Sequence, residues 1–137
     1  MPYPVQAVYE IVNDVTRYPE FLPWCKAVEV VAESAEEVIA TLDLAARGIR
    51  QSLTTRNVLN PHESIELNLV SGPFSQFHGI WRFTRLGLDE GCKLELRLDF
   101  RFSGARSLLH RTFTGVFSQA GDKLVDAFCA RARALLD

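Results

Sequence analysis

The sequence contains no long apolar run, and no stretch approaches the roughly 18 apolar residues that a membrane-spanning helix requires. The first ten residues, MPYPVQAVYE, include neither a basic region nor an apolar segment, so no secretory signal is visible. Repeats, linkers and low-complexity tracts are also missing. With 137 residues, of which 47% are hydrophobic and 23% charged, the chain is expected to form one soluble globular domain spanning residues 1–137.

Cysteine is scarce and never occurs as a CxxC pair. Cys25, Cys92 and Cys129 are odd in number and widely spaced, which favours reduced thiols in the cytoplasm and argues against a disulfide framework or a zinc site. The phosphate-binding and metal-binding motifs GxGxxG, GxxxxGK and HExxH are absent. We therefore predict neither a metal nor a cofactor.

The histidines have no partner at a spacing typical of catalysis. His62 falls in a turn, His78 on the polar side of a strand and His110 near the start of the last helix. Asp99 and Glu95 lie four residues apart on the solvent face of one strand among arginines, which favours cross-strand ion pairs over acid–base chemistry. The sequence thus predicts no catalytic residue and a protein that is not an enzyme.

The net charge of −2 conceals an asymmetry along the chain. Residues 1–46 contain eight acids and two bases, for a charge of −6, whereas residues 47–137 contain nine acids and thirteen bases, for a charge of +4. Twelve of the fifteen basic residues are arginine, which pairs well with carboxylates and phosphates. Solvated faces with local ion pairs explain this pattern most simply, while contact with RNA or with an anionic membrane surface stays open.

The N-terminal region predicts a short helix followed by a turn into a sheet. From Pro4 onward, apolar residues recur at helical spacing over about ten residues. In the segment TRYPEFLPWCKAVEV, Pro19 and Pro23 then forbid a long continuation, so residues 17–22 can form at most a short helical turn.

The central region predicts an antiparallel sheet of six strands. AVEVVAES and EEVIATLDLAA flank a tight polar turn, and GIRQSLTTRNVLN, SIELNLV, FHGIWRFTR and CKLELRLDFRFS follow. The last of these alternates apolar and charged residues strictly, which indicates one apolar and one solvated face.

After Gly104 the apolar period changes to that of a helix, over about thirty residues that include Leu109, Phe113, Phe117 and Phe128. This long C-terminal helix is the only element of adequate length to cover the apolar face of the sheet. We therefore predict an α+β fold in which a curved antiparallel sheet wraps around the C-terminal helix and leaves a groove between the two.

The segments VNDVTRYPEFLPWC, TTRNVL, LVSGPF…GIWRFT and LDFRF, in this order and spacing, resemble the family that joins the ribosome association toxin RatA with the coenzyme Q-binding START-domain proteins. The resemblance covers essentially the whole chain. It implies a helix-grip fold of the START-like, polyketide cyclase-like type.

The resemblance implies two functions. The first is non-enzymatic binding of a hydrophobic ligand, ubiquinone or a similar isoprenoid lipid, in support of respiratory electron transport. The alternative is a toxin that binds the large ribosomal subunit and blocks subunit association in translation initiation. A cyclase-like enzyme has the least support. The expected location is the cytoplasm or the inner face of the cytoplasmic membrane.

Aromatic residues from the elements expected to converge between sheet and helix are the candidate lining of the groove. They are Phe21, Trp24, Trp81, Phe83, Phe100, Phe102, Phe113 and Phe117. Such a set suits an apolar ligand site, although an ordinary aromatic core explains each residue alone more simply. The candidate polar anchors are Thr55 and Asn57, and the turn formed by Gly72, Pro73 and Phe74 is a candidate gate.

Members of the resembling family usually begin with another strand, whereas here Met1 directly precedes PYPVQAVYE. Either the start of the chain is assigned too late or the chain lacks this strand, and in the second case one edge of the sheet is unpaired. Because unpaired edges favour strand addition, a homodimer formed through this edge is a further prediction.

Overall fold

The computed structural model describes residues 1–46, 48–88, 90–102 and 120–137. These residues form two α-helices, one 3₁₀ helix and six strands. In chain order they are α1 (Val5–Asn13), the 3₁₀ helix (Val15–Glu20), β1 (Cys25–Glu33), β2 (Glu37–Ala46), β3 (Ile49–Asn60), β4 (Ser64–Ser71), β5 (Phe74–Leu86), β6 (Gly91–Phe102) and α2 (Ala120–Leu136). The predicted α+β fold, a six-stranded antiparallel sheet with a C-terminal helix, is confirmed. The predicted first half of the long helix, with Leu109, lies outside the described residues.

The sheet is a meander in which each strand pairs antiparallel with the next, in the order β1-β2-β3-β4-β5-β6. The turn between β1 and β2 is closed by Ser34, whose side-chain oxygen accepts hydrogen bonds from the backbone N–H groups of Glu36 and Glu37 at 3.2 Å each. Turns this short keep successive strands adjacent, so the alternation of side chains in one strand continues into the next.

The prolines turn the chain from α1 into the sheet as the sequence predicts. Pro19 lies inside the 3₁₀ helix, and the backbone N–H groups of Phe21 and Leu22 both donate to the carbonyl of Tyr18. The N–H of Cys25 then donates to the carbonyl of Leu22 at 3.0 Å and begins β1. The segment between α1 and β1 is therefore held by backbone hydrogen bonds at each step.

The main core lies between the inner face of the sheet, α1 and α2. α1 contributes its buried residues at helical spacing, and α2 contributes Phe128, which is 1% exposed. The buried residues of this core are Val5, Val8, Tyr9, Val12, Leu22, Cys25, Ile65, Trp81, Phe83, Cys92, Leu94 and Phe128. A second cluster, formed by Leu44, Leu53, Phe74 and Phe77, lies at the other end of the sheet. The space between these two clusters contains the candidate site.

Met1 is paired with β6. Its amino group donates to the carbonyl of Cys92 at 2.9 Å, and the N–H of Cys92 donates to the carbonyl of Met1 at 2.9 Å. This reciprocal pair has the hydrogen-bond pattern of one step of an antiparallel ladder. The predicted homodimer through a sheet edge stays a prediction.

Within the described residues, no helix is both long and apolar enough to cross a membrane.

Candidate functional site

An apolar cavity lies between the inner face of the sheet, the 3₁₀ helix and α2. Its volume is about 70 Å³, and its wall is almost wholly apolar. The described residues that line it are Val15, Tyr18, Leu22, Trp24, Leu42, Leu53, Thr55, Asn57, Leu67, Phe77, Trp81, Leu96, Leu98, Leu124 and Phe128. Because strands place alternate side chains on one face, β2 to β6 contribute residues at intervals of two.

Thr55 and Asn57 form a polar spot in this apolar wall. They lie two residues apart on the inner face of β3 and are 5% and 6% exposed. The hydroxyl of Thr55 donates to Oδ1 of Asn57 at 2.8 Å. Among the described residues, the Asn57 amide nitrogen donates no hydrogen bond, so its N–H groups are available to another partner. A ligand with an acceptor oxygen is chemically suited to it.

Both tryptophans of the chain lie in the cavity wall. Trp81 is 4% exposed and meets the ring of Phe128 edge-on, with ring centroids 5.0 Å apart. The carbonyl of Trp24 accepts a hydrogen bond from the N–H of Ala45 at 2.8 Å, which fixes the start of β1 against β2. The structure therefore brings together these two predicted aromatics and the two predicted polar anchors.

The remaining predicted aromatics with described side chains lie outside this cavity. Phe83 packs against Tyr9 beneath α1, with centroids 5.2 Å apart, and Phe100 meets Phe74 at 6.3 Å in the second cluster. Phe21 contacts Phe128 at 5.1 Å but lines a separate groove bordered by α1, the 3₁₀ helix and α2. Phe102 ends β6 in register with Phe74, and its side chain lies outside the part of the structure that is described.

Phe113, Phe117 and His110 lie outside the described residues. The candidate gate at the β4–β5 turn does not border the cavity either. Gly72 and Pro73 line a shallow polar depression together with Asp43 and Arg50, while Phe74 is 5% exposed and belongs to the second cluster.

Sequence reasoning missed the aliphatic lining and three aromatics, Tyr18, Phe77 and Phe128. Tyr18 follows the first helix in a segment where periodicity gives no direction for its side chain. Phe77 shares the inner face of β5 with Trp81, and Phe128 lies in the apolar stripe of α2. Strand alternation and helical spacing identify both as inward-facing. Neither signal distinguishes a cavity wall from the solid core.

Tyr18 lines the cavity with its ring but turns its hydroxyl away. The hydroxyl donates to the carbonyl of Val12 in α1, while the ring meets Phe128 edge-on at 5.3 Å. Burial raises the pKa of Tyr18, and the nearby Cys25 thiol and Asp14 carboxylate act in the same direction. Tyr18 therefore stays a neutral phenol that supports the wall.

The described nucleophiles and bases do not form a catalytic arrangement. Burial raises the pKa of the Cys25 thiol to about 11 and also raises that of Cys92, so both remain protonated near neutral pH. His78 contacts Glu66 at 3.3 Å on the exposed outer face of the sheet, and His62 lies in a turn with a φ of 65°. In residues 1–46, 48–88, 90–102 and 120–137, no three His, Cys, Asp or Glu side chains converge as metal ligands would.

One end of α2 is fastened to the 3₁₀ helix by charged groups. Arg131 donates to Glu20 at 2.7 Å, Arg17 donates to the same carboxylate at 2.9 Å, and the guanidinium carbon of Arg131 lies 5.0 Å from the centroid of the Phe21 ring. The hydrogen bonds from Arg17 and then Arg131 lower the pKa of Glu20. These contacts hold α2 over the cavity.

Comparison with known proteins gives one family and several individual likenesses. Residues 1–129 match the family described as polyketide cyclase / dehydrase and lipid transport. The chain is 48% identical over 135 residues to the ribosome association toxin RatA of Pseudomonas aeruginosa, covering 98% of this chain and 92% of that protein. It is 26% identical over 136 residues to the mitochondrial coenzyme Q-binding protein COQ10 of Drosophila melanogaster, covering 96% of this chain and 54% of that protein.

Among solved structures, the chain is similar to the Zhui aromatase/cyclase from Streptomyces sp. R1128. The TM-score is 0.77 with 21% sequence identity, and the match covers 99% of this chain and 90% of that chain. This likeness confirms the helix-grip fold that the sequence motifs imply.

Proposed function

Because the chain belongs to the polyketide cyclase / dehydrase and lipid transport family and is nearly half identical to a ribosome association toxin, we propose that it acts on ribosomes. In this proposal it binds the large ribosomal subunit and blocks subunit association in translation initiation. The observation that carries the proposal is the 48% identity, which extends over 98% of this chain and 92% of the relative. We propose the cytoplasm as its location for the same reason.

We further propose that the protein works by binding and not by chemistry. The raised pKa values of Cys25 and Cys92 support this, because a protonated thiol is a weak nucleophile. The exposed position of the His78–Glu66 contact, on the face opposite the cavity, also supports it.

Sedimentation of ribosomes through sucrose gradients tests the proposal. Purified protein added to separated subunits under conditions that permit joining is expected to migrate with the large subunit and to reduce the peak of joined ribosomes. Heat-denatured protein serves as the control for nonspecific aggregation. If the protein fails to migrate with large subunits at both low and moderate salt, the proposal is wrong.

A second candidate function is the binding of an apolar ligand, and the cavity with its Thr55–Asn57 pair favours it. Burying a hydrocarbon chain contributes roughly 0.8 kcal/mol per CH₂ group, and the free Asn57 amide suits a carbonyl oxygen such as that of a quinone. The volume of about 70 Å³ is small beside the roughly 300–1,000 Å³ of typical ligand pockets. A complete isoprenoid quinone would therefore need the elements around the cavity to move apart.

Solvent extraction and mass spectrometry of protein purified from its own host test this second function. We expect a bound lipid with at least one carbonyl or hydroxyl oxygen, and a rise in thermal stability when a short-chain ubiquinone is added. Absence of any extractable lipid, together with an unchanged melting temperature, would remove this candidate. The two functions use the interior and the exterior of the protein and are compatible.

A further inference from the structure

The outer, solvent-facing side of β5 and β6 carries a group of basic residues. Their pairing register places Arg97 opposite Ile80 and Arg82 opposite Glu95. Alternation along β6 puts Lys93 and Arg101 on the same side as Arg97. We call Arg82, Lys93, Arg97 and Arg101 the basic face; all four are exposed.

Three of these four cations have no ion-pair partner among the described residues. Arg82, Arg97 and Arg101 lie more than 4.0 Å from every described carboxylate oxygen, while Lys93 contacts Glu95 at 3.9 Å. The arginines of β3, on the same side of the sheet, behave differently. Arg50 is paired with Asp43, and Arg56 is paired with Glu37 at 3.6 Å. Uncompensated positive charge is thus concentrated at the β6 side of the sheet.

The acidic groups around the basic face do not cancel it. Glu95 and Asp99 alternate with the basic residues of β6, and Asp99 lies opposite His78 in the register. Glu66 of β4, the nearest acid beyond β5, is in contact with His78 at 3.3 Å. On β5 and β6 the outer face therefore has four bases against two acids, and the histidine adds charge only when protonated.

A groove runs between the two central arginines of the basic face. Ile80 and Leu96 line it together with Arg82, Arg97 and Glu95, and its volume is about 380 Å³. Diagonal neighbours on adjacent antiparallel strands lie roughly 7–8 Å apart, so the two guanidinium groups can contact one anion or two successive ones. Guanidinium groups bind phosphate oxygens with two parallel hydrogen bonds, which makes a phosphate chain the anion of best fit.

We propose that the basic face docks on the phosphate backbone of RNA exposed on the ribosome. This inference rests on the proposed ribosome-binding function and deepens it by naming the surface and the chemistry of the partner. The face suits RNA better than a lipid surface, because Ile80 and Leu96, the two apolar residues that line the groove, are both partly buried and cannot insert into a bilayer. The β2 side of the same face offers RNA no uncompensated positive charge, because Glu37 and Asp43 there are paired with the arginines of β3.

A matched pair of double variants tests the proposal by sedimentation with large ribosomal subunits at several KCl concentrations. Arg82→Gln with Arg97→Gln removes two unpaired charges, and Arg50→Gln with Arg56→Gln removes two paired charges from the same side of the sheet. We expect the first variant to bind at least about 10-fold more weakly, with a slope of log affinity against log salt that is shallower by about 2, since each phosphate contact contributes about 1. The second variant should bind within about 2-fold of the unmodified protein. Circular dichroism and urea unfolding verify that both variants are folded.

The outcomes separate this inference from the function on which it rests. Equal weakening of both variants, or no weakening of either, overturns the basic face as the docking surface while leaving ribosome binding intact. If the unmodified protein does not bind large subunits, the proposed function fails. In that case, filter-binding assays measure the affinity of the unmodified protein and of both variants for purified ribosomal RNA. Loss of RNA binding in the first variant alone would sustain the face, and absence of RNA binding by the unmodified protein would overturn it. Binding to phosphatidylglycerol vesicles but not to RNA would also overturn it.

Discussion

Arg131 in α2 donates a hydrogen bond from Nη2 to Oε1 of Glu20 at 2.7 Å and thereby joins two segments that lie 111 residues apart in the sequence. The side chain of Arg131 is 17% exposed, and its guanidinium also covers the ring of Phe21. The contact fixes the end of α2 against the segment that leads into β1. The link is positioned to determine how tightly the helix covers the cavity.

Replacement of Arg131 by Ala is expected to destabilise the protein more than replacement of Arg17 by Ala. Arg131 would lose a contact over Phe21 that contributes roughly 0.5–1 kcal/mol, as well as buried side-chain packing, whereas Arg17 is 63% exposed. The midpoints of urea unfolding measure the difference. Arg131→Lys keeps the charge but lacks the planar group, so its unfolding midpoint should fall between those of the Arg131→Ala and Arg17→Ala variants. Equal midpoints for the Arg131 and Arg17 variants would contradict this prediction.

The pH dependence of stability should include a contribution from Glu20. Its pKa is lowered below the ordinary 4.5 by the hydrogen bonds from Arg17 and Arg131. A carboxyl group with a lowered pKa in the folded state stabilises fully above its unfolded-state pKa, and the stabilisation is lost as pH falls through the folded-state pKa. Unfolding midpoints measured between neutral pH and pH values below 4.5 should therefore fall less steeply for Glu20→Gln than for the unmodified protein.

Glu29→Gln provides the matched control for the pH experiment, because Glu29 is exposed and has no ion pair among the described residues. Its pH profile should follow that of the unmodified protein. A Glu20→Gln profile that coincides with both would show that the contact with Arg131 contributes nothing to acid stability.

Phe128 is the residue of α2 whose truncation should cost most among those with described side chains. It is 1% exposed and meets the rings of Tyr18, Phe21 and Trp81 edge-on. Phe128→Ala is expected to lower the free energy of unfolding by about 3–5 kcal/mol, because it removes these contacts and enlarges the cavity. Leu135→Ala, at a 53% exposed position of the same helix, should change it by less than about 0.5 kcal/mol. Comparable effects of the two substitutions would contradict the packing of α2 described above.

The Thr55–Asn57 pair should show strong coupling in a double-mutant cycle. Thr55→Val leaves Oδ1 of Asn57 without its donor in an apolar wall, so we expect a loss of about 1–3 kcal/mol, and Asn57→Leu leaves the Thr55 hydroxyl without its acceptor at a similar cost. The double variant should be more stable than the sum of the two effects implies, because neither polar group then remains. Urea unfolding of the four proteins gives the coupling energy, and strict additivity would contradict the prediction.

The same double variant separates a structural role of the pair from a binding role. If the pair orients a ligand oxygen, the double variant should lose ligand uptake while keeping most of its stability. If the double variant retains both ligand uptake and stability, the Thr55–Asn57 pair has a structural role only.

The sequence predicted the faces of the strands better than it predicted the cavity. The alternation that places Trp81 and Phe83 on one side of β5 is correct, because neighbouring strands and a buried face enforce it. The alternation does not show which positions along the strand border the cavity and which lie in the solid core. Trp81 borders the cavity, whereas Phe83, two residues later, fills the core beneath α1 against Tyr9. That difference depends on where α1 lies across the sheet, which is determined by tertiary packing and not by local periodicity.

Phe21 illustrates the same limit in the segment TRYPEFLPWCKAVEV. The prolines correctly indicate where helical structure ends, and Trp24 does reach the cavity wall. Phe21 instead lies beneath Arg131, in the groove bordered by α1, the 3₁₀ helix and α2. The two aromatics are three residues apart, but the non-helical backbone at Phe21, with φ −138° and ψ −3°, sends them in different directions. Residue type and spacing contain no information about this local geometry.

The placement of Trp24 and Trp81, the only two tryptophans in the chain, gives the protein an intrinsic optical reporter. All of its indole fluorescence originates from the cavity wall, so the emission maximum registers the polarity inside that wall without any added label. Entry of water or of a quinone, which quenches indole emission, would change the signal directly. Binding at the outer face of β5 and β6 would leave the signal unchanged unless it also altered the interior. One spectrum recorded with purified ribosomal RNA, which contains no indole, therefore tests whether contact at the exterior changes the interior of this domain.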